Sequence, residues 1–114
     1  MVTGYVPDAG DIIWIDFDPQ AGREQSKRRP ALVLTGLAYN RVSGLCVVCP
    51  VTSTRKGYPF EVPIVIDKVE GAVLADQVKS LDWGVRHAEL HSKAPVDVFR
   101  KIRTYIAVLL GIRP

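Results

Sequence analysis

Two cysteines and two histidines are all the soft metal ligands that the 114 residues offer. Cys46 and Cys49 form a nominal C-x-x-C, but they lie in the apolar run Leu45-Cys46-Val47-Val48-Cys49-Pro50-Val51, which reads as a strand. Strand positions three apart face opposite sides, so the two sulfurs do not share a metal, and no second Cys or His pair stands at ligand spacing. They are expected as small buried thiols. His87 and His91 are expected at the surface. Asp11, Asp16, Asp18 and Asp76 make no complete acid cluster, although Asp16 and Asp18 share a face. Glycine-rich phosphate motifs and a Ser-His-Asp set are absent. No metal or cofactor is therefore expected. No apolar run approaches the length of a bilayer span. Met1-Val2-Thr3-Gly4-Tyr5 has no basic start and no apolar stretch behind it, which predicts no signal peptide and a cytoplasmic protein.

What is present is a chain of single-domain length, 47% hydrophobic, with a net charge of +3 and a pI of about 9.0. One domain over residues 1–114 is expected. The mild basic excess permits nucleic-acid contact without demonstrating it. It is concentrated: Arg23, Lys27, Arg28 and Arg29 fall in one stretch, beside Glu24 and Gln25, between two apolar strands. A hairpin needs only two or three residues to turn, so a long polar loop on a β scaffold points to binding. Guanidinium groups pair with phosphate oxygens in a planar fork, which suits a phosphodiester ligand.

In chain order, residues 11–17 read as a strand, and residues 31–35 as the next, with Pro30 at its start. Residues 36–43 read as a connection with a helical turn around Ala38-Tyr39-Asn40. Residues 45–52 are the third strand. A second cationic loop follows, Ser53-Thr54-Arg55-Lys56-Gly57-Tyr58. Residues 60–66 form a strand whose Pro63 argues for an edge or a bulge. Residues 72–78 read as a strand, 80–83 as a turn or short helix, and 86–90 as a short last strand. The period then changes: Val98 or Phe99, Ile102, Tyr105 or Ile106, and Leu109 mark an amphipathic helix. Pro95 suits its first turn, Asp97 faces its positive end, and Gly111 stops it. The fold class is mainly β with a C-terminal helix, a strongly bent sheet or small barrel of SH3-like size.

If the two loops face each other they make a cationic groove. One supplies Glu24, Gln25, Lys27, Arg28 and Arg29. The other supplies Thr52, Ser53, Arg55, Lys56, Tyr58 and Phe60. Cations on the backbone and rings under the bases suit single-stranded nucleic acid. For Tyr58 and Phe60 the plainer role is packing at the core or its rim. Metal-free cleavage of RNA needs a base for the 2′-hydroxyl, a cation for the phosphorane and a proton for the leaving 5′-oxygen. Glu24 is the candidate base. Arg29, always protonated, is the candidate stabiliser. Thr52 is placed to hydrogen-bond a phosphate oxygen.

Taken in order, Gly10-Asp11-Ile12-Ile13-Trp14, Phe17-Asp18-Pro19, Gly22-x-Glu24-Gln25, Arg29-Pro30-Ala31-Leu32-Val33-Leu34, Tyr39-Asn40, Pro50-Val51-Thr52 and Asp76-Gln77-Val78-Lys79-Ser80 resemble the MazF/PemK toxin family over about residues 5–110. Lys56-Gly57-Tyr58-Pro59-Phe60-Glu61-Val62 and Ala75-Asp76-Gln77-Val78-Lys79-Ser80 place the resemblance nearer the MazF branch. The resemblance implies an SH3-like barrel of the PemK/CcdB type, acting as a homodimer. It implies a sequence-specific, ribosome-independent and metal-independent mRNA endonuclease leaving 2′,3′-cyclic phosphate and 5′-hydroxyl ends. It also implies a MazE-like antitoxin whose acidic, flexible tail covers the RNA groove, as a cationic groove would favour. By position Arg29 and Thr52 match the family's catalytic pair, Glu24 matches a glutamate important for activity, and the two loops, with Asp76 and Gln77 beside them, match its RNA-binding surface. In one place the chain departs: the PemK branch carries an arginine two residues before the position of Asp76, and here Leu74 stands there, so that branch's Arg/Asp acid–base pair does not transfer. Asp76 is then a candidate cap for a turn at Ser80. Two rivals follow from other classes. A gyrase poison like CcdB depends on a tryptophan at the C-terminal tip, and this chain ends Leu110-Gly111-Ile112-Arg113-Pro114. A barrel that binds RNA or peptide without cutting would keep its effect when Glu24, Arg29 or Thr52 is changed.

Overall fold

The computed structural model describes residues 4–17 and 28–113. Seven strands and two helices follow in order: β1 (Asp11–Asp16), β2 (Arg28–Val33), α1 (Leu37–Ser43), β3 (Leu45–Thr52), β4 (Glu61–Ile66), β5 (Val69–Leu74), β6 (Lys79–Asp82), β7 (Glu89–Lys93) and α2 (Val96–Leu110). The strands pair in the order β4-β5-β3-β2-β1-β7, and every pairing is antiparallel. β3 is the hub. One edge meets β2. Its other edge meets β6 at the start (Cys46↔Leu81) and β5 at the end (Thr52↔Ala72). No helix of the described residues is long and apolar enough to cross a membrane.

Alternation along the central strands divides their apolar side chains between two cores. Ile12, Leu32, Cys49, Val51, Val62, Ile64 and Val73 build an inner core, closed by Val98 and Ile102 of α2. Ile13, Ile15, Ala31, Val33, Cys46, Val48 and Leu81 build an outer core, flanked by Tyr5, Phe17 and Trp83. Cys46 and Cys49 thus lie on opposite faces, both buried and free, and burial pushes both thiols up to about 12. The first and last strands of the sheet order are brought together by side chains. Asp67, in the β4–β5 turn, bonds His91 of β7 at 3.0 Å. The sheet is therefore a half-barrel, curled round the inner core.

The C-terminal helix runs as its pattern predicts. Pro95 stands at the N-cap, Asp97 in the first turn, and Gly111 closes the helix at φ 72° with bonds to the last carbonyls. Pro63 lies in β4 at the end of the sheet order, where its missing N–H is tolerated. Elsewhere the structure corrects the sequence reading. Residues 80–83 are not a turn or helix: β6 occupies Lys79–Asp82, with Ser80 opposite Val47 and only Leu81 inward enough to be buried. No turn at Ser80 exists for Asp76 to cap. The strand expected at 72–78 runs instead from Val69 to Leu74, because Asp67 and Lys68 both take positive φ and make a two-residue hairpin turn without the Asn or Gly that usually marks one. The last strand is Glu89–Lys93 rather than 86–90, and β2 begins at Arg28. The connection after β2 holds a full helix, α1. Its buried Asn40 donates to the carbonyls of Pro7 and Thr35 and accepts from the Thr35 hydroxyl.

Candidate functional site

Arg29 and Thr52 come from different strands that lie side by side. β2 and β3 pair as far as Ala31 opposite Pro50, and Arg29 and Thr52 stand two residues beyond that pair, one on each strand. Both line a cavity of about 410 Å³ with Trp14, Pro30, Val51, Ser53, Thr54, Ile64, Ile66, Asp67, Val69 and Gly71. Val51 and Ile64 belong to the inner core as well. The cavity is thus the open end of that core, opposite the end covered by α2. Beside it lies a second hollow of about 390 Å³, lined by Lys56, Tyr58, Glu61, Leu74, Asp76 and Gln77. Thr52 and Thr54 border both, so the two make one continuous groove across the end of β3.

The backbone around Thr52 is held from two sides. Its hydroxyl accepts the Thr54 N–H at 3.1 Å, a short side-chain turn that begins the second loop. The hydroxyl's own contact to the Thr54 carbonyl is long, 3.5 Å, which leaves its proton available to a ligand. Behind it, β5 approaches so closely that a Cβ on Gly71 would lie 2.2 Å from the Thr52 carbonyl oxygen. Only glycine fits there. The rest of the loop is shaped by Glu61, whose carboxylate accepts the N–H groups of Lys56 and Gly57 at 3.1–3.2 Å, with Gly57 at φ 77°.

The neighbouring arginines divide their work. Arg28 is fastened: its guanidinium donates to Asp16 at 2.9 Å, to Glu89 at 2.7 Å and to the His87 carbonyl at 2.8 Å. Burial pushes the Asp16 carboxyl up, but bonds from His87 and Arg28 outweigh it and hold it below the ordinary range. Arg86 adds bonds to the carbonyls of Asp16 and Phe17. Arg28 therefore braces the base of the hairpin, its guanidinium already engaged by three partners. Arg29 is different. Its guanidinium carbon lies 5.9 Å from the Phe17 ring centroid, and among the described residues it has no ion pair.

The other candidates sort cleanly. Ser53, Lys56, Tyr58, Asp76 and Gln77 line the groove. Arg55 is exposed in the same loop but lines neither hollow. Phe60 does not face the groove: its ring packs edge to face on Tyr105 of α2, 5.7 Å between centroids. Glu24, Gln25 and Lys27 lie outside the described residues, as does Asp18. Asp11 is buried among the Tyr5 hydroxyl, the Asp8 N–H and the Lys93 ammonium, a structural hub. Among the described residues no three His, Cys, Asp or Glu side chains gather as a metal site. Sequence reasoning missed Trp14, Gly71 and the Asp67–His91 pair. A glycine inside an apolar strand was the available signal for Gly71; nothing local in the sequence joins Asp67 to His91.

Comparison with known proteins shows the family of the chain. Residues 8–110 match the family described as the PemK-like, MazF-like toxin of type II toxin-antitoxin systems. The chain is 46% identical to the endoribonuclease toxin MazF of Escherichia coli (strain K12) over 111 residues, covering 97% of this chain and 100% of that protein. It is 31% identical to the Escherichia coli endoribonuclease PemK, covering 90% of this chain and 81% of the relative. Among solved structures, MazF from Deinococcus radiodurans superposes with a TM-score of 0.83 at 56% identity, covering 94% of this chain and 98% of that one. A MazE-MazF structure from the same organism gives 0.83 at 49% identity, with 96% and 99% covered. The chain belongs to the PemK-like, MazF-like toxins of type II toxin-antitoxin systems.

Proposed function

We propose that this endoribonuclease toxin cuts single-stranded mRNA at specific sequences, without a metal and without the ribosome, through attack of the RNA's own 2′-hydroxyl. The observation that carries the reading is that Arg29 and Thr52 line one cavity. The 2′-oxygen bonds to the adjacent phosphorus, the P–O5′ bond breaks, and the products are a 2′,3′-cyclic phosphate and a 5′-hydroxyl. Glu24 takes the proton of the 2′-hydroxyl, and water in the open groove supplies the proton that turns the leaving 5′-oxygen into a hydroxyl. Arg29 holds the charge that builds on the phosphorane, since a guanidinium with no ion pair among the described residues is ready for a phosphate. Thr52 donates its hydroxyl proton to a non-bridging oxygen. Ser53, Lys56, Tyr58, Asp76 and Gln77 line the groove that the strand follows, and Gln25 and Lys27 are further candidates to bind it.

The relatives named endoribonucleases and the MazE-MazF structures support the same assignment. On that footing the chain works in the cytoplasm as a homodimer, and a MazE-like antitoxin with an acidic, flexible segment occupies the groove in place of RNA. The test is to incubate the purified protein with a long mixed-sequence RNA in chelator and map the ends. Discrete cuts with cyclic-phosphate 3′ ends are expected. Intact RNA from folded, antitoxin-free protein would sink the nuclease reading, and cleavage that chelator stops and a divalent ion restores would overturn the metal-free mechanism.

A further inference from the structure

One wall of the Arg29–Thr52 cavity has no part in the chemistry above. Trp14 and Asp67 line it, and His91 stands behind both. The His91 ring meets Trp14 edge to face, with 6.2 Å between centroids and 73° between planes. Its Nε2 lies 3.0 Å from each Asp67 oxygen, and its Nδ1 lies 2.7 Å from the Ser92 hydroxyl. With the serine hydroxyl donating to Nδ1, Nε2 carries the proton and holds the carboxylate between its two oxygens. Ile64, Ile66 and Val69 supply the apolar walls of the cavity, and Ser53 and Thr54 add hydroxyls.

A carboxylate is a poor neighbour for a phosphate backbone, because it repels it. It accepts hydrogen bonds only, so it selects N–H donors. The volume falls in the range of about 300–1,000 Å³ usual for small-ligand pockets. An apolar slot with an indole on one side and an oriented acceptor at its rim fits an unstacked nucleobase, stacked on a ring and read along its Watson–Crick edge. Adenine, cytosine and guanine each bring an amino group to that edge. Uracil brings an N–H flanked by two carbonyl oxygens, which face a carboxylate unfavourably.

We propose that Trp14, Asp67 and His91 form a base-reading pocket beside the cut phosphate, which admits amine-bearing bases and excludes uracil. This rests on the endoribonuclease reading above. Trp14 and Asp67 touch the base; His91 is a positioning residue that fixes the carboxylate.

The experiment compares cut sites in one mixed-sequence RNA for the wild type, Asp67→Asn, Asp67→Gly and His91→Gln. Asp67 takes φ 53° in the β4–β5 turn, a conformation that Asn and Gly accept readily, so both variants keep the hairpin. The wild type is expected to exclude uridine at one fixed position near the cut. Asp67→Asn, whose amide can donate to a uracil carbonyl, raises the relative use of uridine there by about tenfold, within the discrimination that one good base contact provides. Asp67→Gly broadens the choice without favouring uridine, and His91→Gln shifts it in the direction of Asp67→Asn by a smaller factor. An unchanged set of cut sites in both Asp67 variants, or a wild type that tolerates uridine at every position around the cut, overturns the pocket while leaving the nuclease standing. Intact RNA from the wild type overturns the nuclease and the pocket together.

Discussion

At one end of the inner core α2 lays Val98 and Ile102 over the sheet, and Phe60 meets Tyr105 edge to face. At the other end the same layer of side chains, through Val51 and Ile64, runs on to Trp14, Arg29, Thr52 and Asp67 and stops at an open mouth. Both ends use β1, β3 and β4. The closed end is apolar, while charged and hydroxyl-bearing groups collect at the open end. Strands that are rigid because the helix covers them at one end can hold polar groups in fixed positions at the other, which is what preorganised chemistry requires. Stability and function are separated along one core, and the separation can be tested from either end.

The largest effect is expected at the closed end. Ile102 is fully buried, and Ile102→Ala should cost about 2–5 kcal/mol through lost burial and a cavity, read by urea denaturation. The fraction that remains folded should cut RNA as the wild type does; a slowed folded fraction would show that the two ends are coupled. Next is Arg29→Ala at the open end. It should lower the cleavage rate by about 10²–10³-fold, the scale of losing one transition-state charge partner, with an unchanged melting temperature. A variant that still cuts at the wild-type rate would remove Arg29 from the mechanism. Gly71→Ala lies between the two. Its Cβ must push β5 away from the Thr52 carbonyl, so it should cost about 1–3 kcal/mol of stability by overpacking and also slow cleavage by moving Thr52. Loss of stability with undisturbed cleavage would mean that Thr52 is not held from behind. The smallest effect concerns Asp16. Its carboxyl titrates below the ordinary value, since the bonds from His87 and Arg28 outweigh burial. The stability that it supplies is therefore complete above the unfolded-state pKa, near 4, and is lost as pH falls through the lower folded-state value. Asp16→Asn should flatten the decline of melting temperature on the acid side of about pH 4 and leave the neutral range nearly level.

Periodicity made the helix legible from Val98 to Leu109, and the apolar run at Leu45–Thr52 gave β3 to the residue. These segments bury one stripe or both faces, so their patterns are strong. β6 was not legible, because a four-residue strand with one buried side chain carries almost no pattern. The β4–β5 turn was missed because Asp67 and Lys68 adopt positive φ without glycine or asparagine. At the candidate site, residue type and resemblance both single out Arg29 and Thr52, while their sharing one cavity depends on two strands lying side by side, which no local stretch contains. The bracing of Arg28 was not legible for a related reason: its partners Asp16, His87 and Glu89 are 12 to 61 residues away. A charge run cannot say which of its members is already engaged.

The half-barrel joins its ends through side chains, so the outer backbone edges of β4 and β7 stay free of strand partners among the described residues. Such edges invite a foreign strand to add on and begin a fibre. Pro63 takes one donor out of β4, and β7 is only five residues long, with Glu89 and Lys93 exposed. Pairing onto this sheet is thus discouraged at both margins, and Pro63→Val, by restoring a continuous row of donors, should make the purified protein more prone to aggregate.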